Sequence, residues 1–289
     1  MSEVLATGFF DGVHLGHREI LRGATAALTF LNHPSGVLSP GLETPLLMDA
    51  GSKIAAIKAC GVEKVWAIEF TEEVAAVPPE RFLEGAVPGF PLKAADIAKV
   101  KCGMDWRFGA GGKGDAGLLR SLGVEVEEVP YAEYKGERIS SSRIRKALQG
   151  GRVEDANAML GRRWTLRGRV SVGKGEGTKI GFPTVNIVPS RALPIGRGVY
   201  AVESRGVPAV ANFGLAPTFG ERAWKEPVLE VHFLSAPPPA ENGEMEIEFV
   251  SFIRGEKAFS SPAELARQIE VDIAASAEKL TIANSGKIG

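Results

Sequence analysis

Apolar positions in the first half of the chain fall into short runs of strand length, set between stretches with helical spacing. Residues 4–10 form the first such run. Residues 50–60 carry a helical pattern halted by Gly61, and residues 64–69 predict the next strand. Pro79 suits the first turn of a helix over 79–86, and 97–102 is again strand-like. Asp115 is placed to cap a helix over 116–122, with Gly123 as its left-handed stop. Residues 124–129 alternate apolar and acidic side chains, as a half-buried strand does. The repeated strand–helix order predicts an α/β fold, a parallel sheet covered by helices. Two short helices, 142–149 and 154–160, close this half, separated by Gly150-Gly151 and followed by Gly161.

The period then changes. Residues 163–254 carry β-branched runs broken by Gly and Pro, the pattern of an antiparallel barrel or sandwich. Ser261-Pro262-Ala263-Glu264 is a capping box with proline at the first helical position, and Leu265, Ile269, Ile273 and Leu280 follow on one stripe. The change places a domain boundary near residue 161, giving domains 1–161 and 162–289.

At 289 residues the chain is long enough for two cores. A formal net charge of -1 excludes broad attraction to nucleic acid or to anionic membranes, though not a local cationic pocket. Cys60 and Cys102 are too few for a disulfide framework and are not spaced as metal ligands, so both are expected as buried thiols. The N-terminal residues lack a basic region leading into an apolar run, and no stretch approaches the ~20 apolar residues of a membrane helix. A cytoplasmic location is expected.

Candidate chemistry begins directly after the first strand, in Gly8-Phe9-Phe10-Asp11-Gly12-Val13-His14-Leu15-Gly16-His17. Glycines at a strand-to-helix turn allow backbone to approach a phosphate, and amides at the helix start then face the anion. His14 and His17 lie on one side of the following turn, where imidazolium groups could neutralise charge on a pyrophosphate leaving group. A His-x-x-His pair completed by His33 or Asp11 is also the donor set of a metal site, and a capped helix start needs no ligand at all. Glycines beside the pair favour the nucleotide reading, since metal ligation does not require them. Far along the same half, Ile139-Ser140-Ser141-Ser142-Arg143-Ile144-Arg145 offers hydroxyls at a helix start followed by two arginines, suited to a triphosphate or to a solvated basic face.

These two segments, with Thr29-Phe30-Leu31-Asn32-His33-Pro34 and residues 103–109, resemble in order the adenylyltransferase module of bacterial bifunctional riboflavin kinase/FAD synthetases. The resemblance implies a Rossmann-like nucleotidyltransferase fold. It implies ATP contacts at Gly8, Phe10, His14, Gly16, His17, Ser141 and Arg145, with His14 and His17 catalytic. His33, Pro34, Asp105 and Phe108 would then lie toward the flavin or support it.

The β-rich half contains Gly173-Lys174-Gly175-Glu176-Gly177-Thr178-Lys179-Ile180-Gly181-Phe182-Pro183-Thr184-Val185-Asn186. No Gly-Lys-Ser/Thr tripeptide occurs, so this is not a Walker A loop. In an extended stretch Thr184 and Asn186 face one way, offering hydroxyl and amide oxygens as hard ligands for Mg2+ carried by ATP, or simply a polar strand surface. In Leu229-Glu230-Val231-His232, Glu230 and His232 share a face, and a carboxylate there could take the proton of an attacking alcohol. With residues 198–202, 211–214 and 217–219, and Phe252-Ile253-Arg254 with Phe259, these segments resemble riboflavin kinase, in order. That resemblance implies a Greek-key β-barrel with a C-terminal helix. It implies a Mg2+ site at Thr184 and Asn186, a catalytic base at Glu230, an ATP flap at Gly173, Gly177 and Lys179, and Arg254 closing over the flavin.

The two resemblances together imply ATP-dependent conversion of riboflavin to FMN and of FMN to FAD, with ATP, riboflavin, FMN and FAD as partners. The chain departs from the family where His17 and Thr29 stand only twelve positions apart, a cramped first crossover, and where Thr178, Met104, Trp106, Asn32 and Phe9 replace residues usual in the family. Two further readings therefore stand beside bifunctionality: a riboflavin kinase with a degenerate adenylyltransferase domain, and a flavin-binding regulatory protein.

Overall fold

The computed structural model describes residues 2–41, 43–171, 176–214 and 228–285. The chain divides into two compact units, Met1–Ser141 and Ser142–Gly289, so the division falls earlier in the chain than the change of sequence pattern.

The first unit contains β1 (Glu3–Thr7), α1 (Leu15–Leu21), β2 (Ala26–Phe30), α2 (Pro34–Leu38), α3 (Ala50–Ala59), β3 (Lys64–Ile68), α4 (Glu72–Ala75), β4 (Ile97–Gly103), α5 (Ala116–Ser121), β5 (Val126–Val129) and a small hairpin, β6 (Glu133–Tyr134) and β7 (Glu137–Arg138). Five strands form one parallel sheet in the order β3-β2-β1-β4-β5. Alternate residues bury on opposite faces, as a two-sided parallel sheet requires. Leu5, Leu28 and Val100 pack with Phe82, Phe90 and Phe108. Ala6 and Ala27 pack with Phe10, Leu21, Ile57 and Val62 on the other side. The strand order runs outward on both sides of β1, so the carboxyl ends of β1 and β4 form the switch point, the place where open parallel sheets bind ligands.

The caps expected of the sequence form. Asp115 accepts from Leu118 N at 2.9 Å, and Gly123 has φ 81°. Two expected elements are cut short. The first strand ends at Thr7 because Phe10 turns the chain at φ 52°. The helix expected over 79–86 is a single 3-10 turn, Pro79–Arg81, since Phe82 and Leu83 are drawn into the core and Gly85 turns left-handed at φ 83°. The short first crossover, residues 8–25, holds only the seven-residue α1, yet β1 and β2 pair in register from Leu5↔Ala26 to Thr7↔Leu28.

The second unit opens with α6 (Ser141–Gln149) and α7 (Val153–Leu160), ended by Gly161 at φ 67°. Then come β8 (Trp164–Ser171), α8 (Glu176–Lys179), β9 (Val185–Pro189), β10 (Gly198–Ser204), β11 (Val207–Gly214), β12 (Val228–Phe233), β13 (Glu244–Arg254) and α9 (Pro262–Ser285). The strands close an antiparallel barrel in the order β10-β11-β12-β9-β8-β13. The non-sequential pairings β12–β9 and β13–β8 give it the Greek-key crossover. Leu166, Ile187, Leu229, Val231 and Ile247 are fully buried. Helix α9 is docked by Ser276, which donates to Ala209 O at 2.9 Å, and by Leu280 against Ala201 and Val250.

Candidate active sites

At the end of β1, Gly8 N still donates to Leu28 O (3.2 Å), and the chain then turns through Phe10, Gly12 (φ 85°) and Val13 (φ 37°). Left-handed Phe10 and Val13 cost roughly 1–3 kcal/mol each, strain of the kind held at ligand sites. Buried Asp11 fastens the turn: both its carboxylate oxygens accept from Leu47 N at 3.0 Å, and its carbonyl accepts from Ser141 Oγ at 2.8 Å. Ser141, distant in sequence, thus reaches the loop.

His14 caps α1, its Nδ1 accepting from His17 N at 3.2 Å, so a neutral His14 carries its proton on Nε2. The His14 and His17 rings stack at 3.5 Å, and Phe10 stands edge-on to His17 at 5.3 Å. Gly16 lies beside the His14 ring, where an added Cβ would come within 3.4 Å. His17 Nδ1 and Thr7 Oγ1 are buried without a hydrogen-bond partner among the described residues. Burial, assisted by His14, Lys53 and Arg138, holds the His17 pKa well below the ordinary 6.5. A pKa held that low favours the neutral imidazole of His17 over its imidazolium near neutral pH. Stacked rings do not converge on a cation, and among the described residues no group of three His, Cys, Asp or Glu side chains is placed to hold a metal.

His33 and Pro34 begin α2. His33 Nδ1 accepts from Ser35 N (3.1 Å), and its ring meets the Phe9 ring edge-on at 4.9 Å. Asn32 binds Phe70 through both ends of its amide, donating to Phe70 O and accepting from Phe70 N. Asp105 pairs with Arg138 at 2.8 Å on the surface, and Phe108 is buried, stacked on Trp106 at 4.6 Å. Phe108 is thus part of the core. Arg145 is buried on α6 and belongs to the second unit. The residue missed in the sequence is Lys53, whose ammonium is buried beside Phe9 and Phe30. Its one sequence signal is a lysine on the buried stripe of α3, with Ile57 one turn on.

In the barrel, register builds the second site. Ser171, Asn186, Glu230 and Asn212 are consecutive cross-strand partners on β8, β9, β12 and β11. Opposed residues in antiparallel strands put their Cβ atoms about 4.5–5.5 Å apart on one face. Leu229, Val231 and Phe233 are buried while Glu230 and His232 alternate onto the other face, and Thr184 stands two residues before Asn186, just ahead of β9. Burial raises the Glu230 pKa above its ordinary range. His232 Nδ1 lies 2.8 Å from Pro183 O and its ring meets Phe182 edge-on, so β12 supports the chain that presents Thr184. Gly177, in α8, is needed for space: an added Cβ would fall 2.3 Å from Phe182 O. Gly173, the Lys179 side chain and residues 217–219 lie outside the described residues. Arg254 makes a forked pair with buried Asp272 of α9 (2.9 and 2.7 Å) and lies 5.7 Å from the Phe259 ring.

Comparison with known proteins finds a family for each half of the chain. A family model described as FAD synthetase matches residues 1–143, and one described as riboflavin kinase matches residues 160–280. The bifunctional riboflavin kinase/FMN adenylyltransferase of Bacillus subtilis (strain 168) is 33% identical over 291 residues, covering 93% of this chain and 90% of that protein. Its Escherichia coli (strain K12) counterpart is 32% identical over 288 residues, with 93% and 90% covered. A crystal structure described as a macrolide-efflux protein from Streptococcus pneumoniae superposes with a TM-score of 0.81 at 27% identity, over 95% of this chain and 94% of that one. Among the described residues, no helix is long and apolar enough to cross a membrane. With both modules matched in order and relatives aligned over almost the whole length, the chain belongs to the bifunctional riboflavin kinase/FMN adenylyltransferase family.

Proposed function

We propose that the second unit transfers the γ-phosphoryl group of ATP to the primary alcohol of riboflavin, and that the first unit joins the resulting FMN to AMP from a second ATP. The products are FMN and ADP, then FAD and pyrophosphate. The observation that carries the reading is the register pairing of Glu230 with Asn186, two residues beyond Thr184.

In the kinase step, Glu230 accepts the alcohol proton as the oxygen attacks the γ-phosphorus. A desolvated carboxylate is a stronger base than an exposed one, and its raised pKa reflects this. Thr184 Oγ1 and Asn186 Oδ1 are hard oxygen donors of the kind Mg2+ accepts, two residues apart and with Asn186 paired to the base, so the donor set fits that ion. Bound there with ATP, Mg2+ would supply charge neutralisation for the phosphates. Gly177 lets its helix lie against Phe182, which keeps the flap close to Thr184.

In the adenylyl step, a phosphate oxygen of FMN displaces pyrophosphate from the α-phosphorus of ATP. This needs positioning and charge stabilisation, with no covalent nucleophile. Thr7 Oγ1 at the end of β1 and His17 Nδ1 on α1, unpartnered among the described residues, support a polar ligand beside them, since an unmet buried polar atom costs about 1–3 kcal/mol. Neutral His17 gains proton affinity from a polyphosphate beside it, so it becomes cationic only when that charge arrives. His33 and Pro34 stand on the flavin side.

Incubation with riboflavin, ATP and Mg2+, followed by separation of the flavins, tests the reading. FMN and FAD are both expected. FMN alone would mark the first unit as degenerate, and neither product would leave a flavin-binding protein.

A further inference from the structure

We propose that Lys53 is a positioning residue of the adenylyltransferase site, its ammonium tying the loop after β1 to the carboxyl end of β2. The inference rests on the reading of the first unit as an FMN adenylyltransferase. Lys53 lies on α3 and is 1% exposed. Its Nζ donates to Phe30 O and to Phe9 O, the latter at 3.3 Å, and sits 4.2 Å from the Phe9 ring centroid. Phe9 O also accepts from Thr29 Oγ1 at 2.8 Å, and the Phe9 ring meets the His33 ring edge-on at 4.9 Å. One buried cation therefore touches both the segment carrying Gly8 to His17 and the strand leading into His33.

A methionine would fill the same space without the cost of burying charge. The charge has two uses here. It binds two backbone carbonyls that belong to different loops, and its field helps keep His17 neutral until an anion arrives. Asp11, in the loop after β1, and His17, on α1, are the titratable groups coupled to it; Phe9 and Phe30 present only carbonyls and a ring. Burial outweighs Asp11 and brings the ammonium to a pKa of about 8. Above that pH the amine is neutral and both carbonyl contacts weaken. Adenylylation then declines while phosphorylation in the second unit continues.

The test is FAD formation from supplied FMN and ATP by the full chain across neutral to alkaline pH, with riboflavin phosphorylation of the same samples as the control for folding. The unsubstituted protein should lose adenylylation above about pH 8. Lys53→Arg, whose guanidinium stays protonated, should flatten that decline. Lys53→Met and Lys53→Gln should lower kcat by at least about tenfold at every pH and show no alkaline limb of their own. Unchanged kcat in both neutral variants, or an alkaline decline that persists in Lys53→Arg, overturns the inference alone. No FAD from the unsubstituted chain overturns the underlying reading together with it.

Discussion

Glu230 owes its basicity to the strand that carries it. Burial raises its pKa, and the working form is the carboxylate, so kinase activity should fall as pH drops through a value higher than an exposed glutamate would give. Glu230→Gln should lower FMN formation by about 10²–10⁴-fold, the usual contribution of a general base, while leaving adenylylation of supplied FMN intact. A riboflavin phosphorylation assay across acidic pH checks both. His17 has the opposite sign. The unfolded chain takes up a proton at this side chain near the ordinary 6.5, whereas the folded chain refuses it until much lower pH. Stability should be level above that value and fall below it, by up to about 1.4 kcal/mol per pH unit. Melting curves followed from about pH 8 down to about pH 5 should show the fall, and His17→Gln should reduce it. At this scale the sequence was legible wherever alternation or a local motif placed a side chain. Period-two counting puts Glu230 on its face of β12, where it pairs with Asn186, whereas the motif at Ser141 gives no sign of its bond to Asp11 O. Lys53 and the Asp11–Leu47 contact were not legible either, because a side chain bonded to backbone far away in sequence leaves no periodic trace.

Whole elements follow their caps more faithfully than their apolar content. Asp115, Gly123 and Gly161 bound helices where expected, since each end is fixed by local chemistry. At α9, Ser261 Oγ accepts from Glu264 N as in a capping box, but Glu264 reaches back to Ser260. The expected helix at 79–86 failed because Phe82 and Leu83 bury in the core, a demand of tertiary packing on a segment that Gly85 then turns. Elements also set the second site's shape. His232 is joined to Pro183 O and flanked by Phe182, so it braces the segment presenting Thr184 without occupying the base's position. His232→Ala should raise KM for ATP several-fold with a smaller change in kcat, and His232→Asn, which keeps a donor, should recover part of it. Steady-state kinetics in ATP at saturating riboflavin decide this; a loss confined to kcat would mean that His232 takes part in the chemistry.

At the scale of the molecule, two unlike cores carry two reactions that share an intermediate. The first unit's crossover is the shortest part of its design: α1 spans seven residues, and the loop on either side must place His14 and His17 within residues 8–25. The sheet tolerates this, since β1 and β2 pair in register, but the proposed ATP contacts His14 and His17 lie in that same segment. Adenylylation should accordingly be the slower step, with FMN accumulating before FAD in a time course begun with riboflavin. Glu230, the proposed kinase base, lies in the second unit, and His14 and His17 lie in the first. A chain lacking one activity should therefore keep the other. His17→Ala should convert riboflavin to FMN and stop, and Glu230→Gln should act only on FMN already made. Mixing the two variants should restore FAD from riboflavin, because FMN released by one chain is the substrate of the other, and the rate should rise with the concentration of the Glu230→Gln protein. If each variant alone works on its remaining substrate but the mixture yields no FAD, FMN does not leave the chain that makes it, and the two units operate as one site in sequence, contrary to the separation argued from their folds.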